Sequence, residues 1–147
     1  MKRILLVTTL LIGWGLHVAY AQSAEQEIKQ TIEDMIQAGL DKDVDKTLSY
    51  WDQSPSFTFI ADGHQYDFMA FKDMYTDFLN KVESQEVTEN KLTVKEIGKY
   101  KALCIWTGTE KVKMKEQEPF ESKWISTLLM ENKKGGWVIL HGHTSHF

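Results

Sequence analysis

Cysteine occurs once in this 147-residue sequence, so no intramolecular disulfide can form. That residue, Cys104, sits in the apolar stretch 102–106, which marks a buried, inert thiol rather than a nucleophile. Stability must come from packing. Proline is nearly as scarce, and Pro55 and Pro119 both mark breaks between elements. Basic clusters are missing too, since Lys111, Lys113 and Lys115 are scattered along a strand, which excludes nucleic acid as a partner. No apolar run reaches the roughly 20 residues that a membrane-spanning helix needs. Internal repeats and disordered linkers are also lacking.

The chain begins with Lys2 and Arg3, an apolar run over 4–12 continued by Gly13, Trp14, Gly15 and Leu16, and then Ala19-Tyr20-Ala21. These three zones form a secretory signal peptide over 1–21, with cleavage after Ala21. No cysteine lies near that point, so lipid attachment there is excluded. The mature chain, 22–147, is long enough for one core and too short for two ordinary domains. Loss of Lys2 and Arg3 takes the 17 basic side chains to 15, against 21 acidic ones. The product is an acidic, exported single domain, periplasmic or extracellular, with no membrane attachment after cleavage.

Ile28, Ile32, Met35, Ile36 and Leu40 recur at helical spacing, and Ser23 with Gln26 forms a capping box. Gly39 lies near the expected end of this helix. Asp43 can cap a second, short helix carrying Val44, Leu48 and Trp51. Phe57, Phe59 and Ile60 mark a strand ended by Asp62-Gly63, a hairpin signal, with His64 to Tyr66 pairing back. Asp67 caps a third helix through Phe68, Phe71, Met74, Tyr75, Phe78, Leu79 and Val82. After Glu83 the period changes to two. Leu92 and Val94 belong to one strand, followed by strands over 102–114, 120–131 and 137–147 with short breaks between them. Helices first and a long antiparallel meander afterwards give an α+β fold.

Alternation assigns the inward faces. Even positions from Ala102 to Met114 and from Phe120 to Met130 face the core. In the last strand the odd set, Trp137, Ile139, His141, His143, Ser145 and Phe147, is expected to face inward. Long antiparallel strands twist and curl, and three helices cannot fill the whole concave face, so a cavity opens at one end. Trp106, Trp124, His141 and His143 are expected to line it from the sheet, and Tyr50, Trp51, Phe59, Tyr66 and Tyr75 from the helical side. Phe59 and Trp137 also read as core.

The amphipathic first helix, the 57–63 hairpin, the 102–108 strand and the ending Trp137-Val138-Ile139-Leu140-His141-Gly142-His143-Thr144-Ser145 together resemble the nuclear transport factor 2-like superfamily. Within it, the likeness is to the SnoaL-like, polyketide-cyclase-type domains. The resemblance spans the mature chain. It implies a cystatin-like cone, with three N-terminal helices packed on a strongly curved, mainly antiparallel sheet, an internal pocket, and frequent homodimerisation through the sheet. It does not imply one reaction. The isomerases of the superfamily place a tyrosine in the first helix, and 23–40 contains none. The dehydratases pair a histidine with an aspartate inside the cone, and His141 or His143 with Asp62 or Asp52 is the nearest arrangement here.

The functional expectation is a pocket for a small apolar or aromatic molecule. Acid-base chemistry would fall to His143 or His141 with Asp62, since an imidazole can take and return a proton while a carboxylate orients it. No cofactor is implied. The alternative is a non-catalytic module acting through self-association or protein binding. A metal site on His141 and His143, two apart on a strand, would need a third ligand; His146 falls on the other face, which leaves His64 on the hairpin as the candidate.

Overall fold

Ser23 opens the first helix as its spacing predicts, its hydroxyl accepting from Gln26 N at 3.3 Å while Gln26 Oε1 accepts from Ser23 N at 3.1 Å. The computed structural model describes residues 23–147; the expected signal peptide and cleavage after Ala21 lie outside the described residues. Helix α1 (Ala24–Leu40) buries Ile28, Ile32 and Met35 on one face. Gly39 lies inside the helix rather than ending it, and Tyr75 Oη sits 2.7 Å from where a Cβ would be. Asp43 and Asp67 cap α2 (Val44–Leu48) and α3 (Phe68–Lys81), accepting from Lys46 N and Ala70 N, each at 2.9 Å. No helix among the described residues is long and apolar enough to cross a membrane.

Strands β1 (Thr58–Ala61) and β2 (His64–Tyr66) form the expected hairpin. Asp62 and Gly63 turn it with φ of 49° and 86°, the left-handed pair that this two-residue turn requires. Then follow β3 (Val82–Gly98), β4 (Lys101–Met114), β5 (Phe120–Lys133) and β6 (Gly136–His146). The six-stranded sheet has the order β2-β1-β6-β5-β4-β3, antiparallel except where β1 meets β6. The fold is α+β, with helices on one face of a curved sheet. Strand β3 starts ten residues earlier than its apolar residues Leu92 and Val94 suggest. It is an edge strand with a largely exposed, polar first half, so no apolar period marks its beginning.

The core lies between α1 and one half of the sheet. Ile28, Ile32, Ala102, Cys104, Leu128, Met130 and Ile139 are all 1% exposed or less. Burial pushes the Cys104 thiol up to about 11, so it stays protonated and unreactive. Toward β1, Trp51, Phe57, Phe59 and Phe71 pack together with ring centroids 4.6 to 6.0 Å apart. Such contacts add about 0.5–1.5 kcal/mol per pair beyond area burial.

One irregularity in β6 changes the reading of its faces. Met130 pairs with Ile139 and Leu129 with His141, leaving Leu140 as an unmatched residue. This β-bulge has an identifiable cause. Ile139 bonds the segment before β1, donating to Tyr50 O at 2.9 Å and accepting from Asp52 N at 2.8 Å, whereas β1 itself pairs with β6 only from His141 onward. The extra residue lets β6 satisfy both neighbours and shifts the inward set from odd to even positions. Gly142 confirms the switch, because a Cβ there would stand 2.9 Å from Phe59 Cδ2 in the core.

Candidate functional site

A cavity of about 440 Å³ lies between the helices and the sheet half that the core leaves free. Its walls are aromatic. Tyr75 lines it from α3, Phe59 and Tyr66 from the β1–β2 hairpin, Trp51 from the segment after α2, and Trp106 and Trp124 from β4 and β5. The two tryptophans meet edge to face at 5.4 Å, and Trp106 Nε1 donates to Asn90 Oδ1 at 2.6 Å. Gly108 is what admits Trp124: a Cβ there would lie 2.2 Å from the indole ring.

Several sequence expectations need correction. His141 and His143 do not line the cavity, because the bulge at Leu140 turns both to the outer face of the sheet, opposite Leu129 and Thr127. Tyr50 also lies outside. It is partly buried against the core instead, with the Lys46 ammonium 5.1 Å from its ring centre, while its neighbour Trp51 bridges to Ile139 and lines the cavity. Asp52 is engaged at the opposite end by Lys133 Nζ at 2.7 Å and by Ser54 Oγ at 2.5 Å. Among the described residues, no group of three or more His, Cys, Asp or Glu side chains is placed to hold a metal ion.

Asp62 does line the cavity, and its partner is His146. His146 Nδ1 lies 2.7 Å from Asp62 Oδ2, and the His146 backbone N–H donates to Asp62 Oδ1 at 2.8 Å. The turn builds this pair. Left-handed Asp62 extends the β1–β6 ladder, donating its own N–H to Thr144 O at 3.1 Å, which sets its carboxylate against the end of β6. Both side chains are partly exposed, at 49% and 43%, so the pair stands at the cavity mouth. Burial works to raise the Asp62 carboxyl, but the two His146 hydrogen bonds and the nearby charges of His146 and His64 outweigh it and hold the group below its ordinary value.

Deeper polar groups went unread in the sequence. Ser126 and Thr144 share a buried hydroxyl–hydroxyl bond of 2.7 Å across β5 and β6. Glu110, 9% exposed, accepts from Gln85 Nε2. Tyr75 is held above the usual phenol range, chiefly by burial and also by the Glu110 charge, with a Thr47 hydrogen bond acting the other way. Trp124 Nε1 is buried and has no hydrogen-bond partner among the described residues, a state that costs about 1–3 kcal/mol. Glu110 and Ser126 were legible as inward positions on even-numbered faces. His146 was legible only through Gly142, a glycine inside a strand of the kind that accompanies bulges and close packing.

A family model described as the SnoaL-like domain matches residues 28–147. Among solved structures, an NTF-2 like protein of unknown function from Shewanella oneidensis MR-1 superposes with a TM-score of 0.66 at 20% identity, covering 84% of this chain and 99% of that one. A nuclear transport factor 2 (NTF2-like) superfamily protein from Salmonella enterica gives 0.74 at 13%, covering 83% and 89%. A candidate dehydratase of the NTF2-like family from Streptomyces avermitilis gives 0.73 at 12%, covering 84% and 96%. At these identities the structural likeness establishes the fold. No curated protein matches the sequence.

Proposed function

We propose, from the premise that this chain belongs to the SnoaL-like domain family, that it binds a small apolar or aromatic molecule in its cavity and moves a proton on it. The observation that carries this reading is the 2.7 Å His146–Asp62 contact at the mouth of a cavity with aromatic walls. A volume of about 440 Å³ falls within the range typical of small-molecule sites. With Nδ1 held by Asp62, His146 Nε2 is the nitrogen left to take a proton from the bound molecule and return it. Asp62 fixes the ring and stabilises the imidazolium that forms. This is the chemistry of an isomerase, dehydratase or cyclase. The candidate dehydratase from Streptomyces avermitilis supports that range by fold alone. The leader expected over residues 1–21 supports an exported activity as part of this proposal.

Proton abstraction is testable without the natural substrate. The protein should accelerate deuterium exchange at the α-carbon of 2-tetralone in D₂O, followed by NMR. His146→Ala should lower the rate by about 10²-fold or more, the usual range for a general base. An unchanged rate in His146→Ala removes the catalytic reading, whereas His141→Ala and His143→Ala should match the parent protein.

A second reading, self-association through the sheet without chemistry, draws on the outer face. Ile105 and Ile125 are 38% and 46% exposed there. Light scattering on the parent and on Ile125→Glu checks it. A dimer that falls apart in the variant supports it, and a parent protein that is monomeric at micromolar concentration removes it.

A further inference from the structure

Glu110 is the one carboxylate on the cavity wall that nothing explains so far. It is nearly buried, its described partner is the neutral side-amide of Gln85, and it forms no ion pair among the described residues. The cavity lining contains no Lys or Arg. Its remaining charged or titratable groups besides tyrosines are Asp62, His64 and His146, and there Asp62 already has the imidazoles for partners. On β4, Glu110 stands two strand spacings from His146 on β6 and three from Asp62 at the end of β1, roughly 10 and 14 Å along the sheet. Removing a carboxylate from water without an opposite charge is costly, and a cation arriving from outside relieves that cost. Aromatic rings share the wall with Glu110. Trp124 pairs with Gly108, two residues along the same face, and Tyr75 lies close enough to feel the Glu110 charge. Aromatic faces beside a carboxylate attract an ammonium group and repel an anion.

We infer that the cavity selects molecules bearing a protonated amine, with the ammonium at Glu110 and the apolar body against Trp106, Trp124 and Tyr75. The inference rests on the proposal that the cavity is a ligand site. Three probes of one shape separate the two ideas: 3-phenylpropylamine, 3-phenylpropan-1-ol and 3-phenylpropionate, titrated by calorimetry near neutral pH. The Trp124 indole N–H resonance, assigned through Trp124→Phe, reports whether each enters.

The amine should bind at least about tenfold tighter than the alcohol, as a charged hydrogen bond provides, and the carboxylate should bind weakest. Glu110→Gln should bring the amine down to the level of the alcohol while leaving the alcohol unchanged, and Glu110→Asp should restore part of the preference. Asp62→Asn should keep the preference. Equal binding of all three probes to the parent protein overturns the inference without needing any variant to fold, and alcohol binding would still support the cavity as a ligand site. Survival of the amine preference in Glu110→Gln overturns it as well. If no probe moves the Trp124 signal at millimolar concentration, the ligand-site proposal fails and the inference with it.

Discussion

The same three strands, β4 to β6, are aliphatic at one end and polar at the other, and the two ends do different work. At the closed end Ala102, Cys104, Met130 and Ile139 are sealed against α1 without a polar side-chain group that needs more than a weak partner. At the open end the corresponding faces carry Glu110, Ser126, Thr144 and His146, and a cavity replaces the packed helix. Apolar burial is the dominant favourable term in folding, so the closed end holds the sheet in place. The open end then accommodates groups that would be unfavourable in a core, including a nearly buried carboxylate and an indole N–H without a partner among the described residues.

Three substitutions sharpen this contrast. The largest effect is expected from Ile139→Ala at the closed end, a fully buried site. It should cost about 2–5 kcal/mol in urea unfolding and leave binding of 3-phenylpropan-1-ol unchanged in whatever fraction stays folded. Gly108→Ala at the open end should cost less, about 1–3 kcal/mol from overpacking, because the new methyl must displace the Trp124 ring. Here the binding of that alcohol and the Trp124 N–H resonance should both change. If Ile139→Ala alters binding and Gly108→Ala does not, the division of labour between the two ends is wrong.

The smallest effect concerns pH. Asp62 is held below its ordinary value of 3.8, so its bonds to His146 contribute stability that is complete above that value. The contribution is lost as the pH falls through the lower folded-state value, where the carboxyl becomes protonated. The parent protein should therefore melt slightly above Asp62→Asn at neutral pH, with the difference vanishing in acid below pH 3.8. Because both side chains are partly exposed, the gap should also shrink in high salt. A gap that persists in acid would mean that Asp62 acts through packing or turn geometry instead.

Most elements could be read from the chain because their signals are local. Ser23 with Gln26, Asp43 and Asp67 cap helices through atoms three residues apart, and Asp62-Gly63 turns a hairpin through its own backbone preference. The inward faces of β4 and β5 followed from strict alternation over more than ten residues. The beginning of β3 did not, since an exposed edge strand needs no apolar period.

The site divides along the same line. Phe59, Tyr66, Tyr75, Trp106 and Trp124 reach the cavity because their faces are set by regular elements, whereas Trp51, expected on the second helix, lies beyond its end and is held by a bridge to Ile139. His141 and His143 miss it because alternation was carried past Leu140. Apolar residues occur on both parities of β6 from Trp137 to Leu140, so the sequence holds no local sign of which face is buried beyond that point.

By itself, then, the sequence determined the helices, their caps and the hairpin turn, which arise from contacts within a few residues, and it marked the strands of the meander through their alternation. Tertiary structure decided which histidine meets Asp62. The register of β6 is set by two neighbours, the Tyr50–Asp52 backbone and β1, which are distant in sequence and can both be satisfied only if one residue bulges. A one-residue shift reverses every side chain beyond it, and so His146 reaches the cavity mouth.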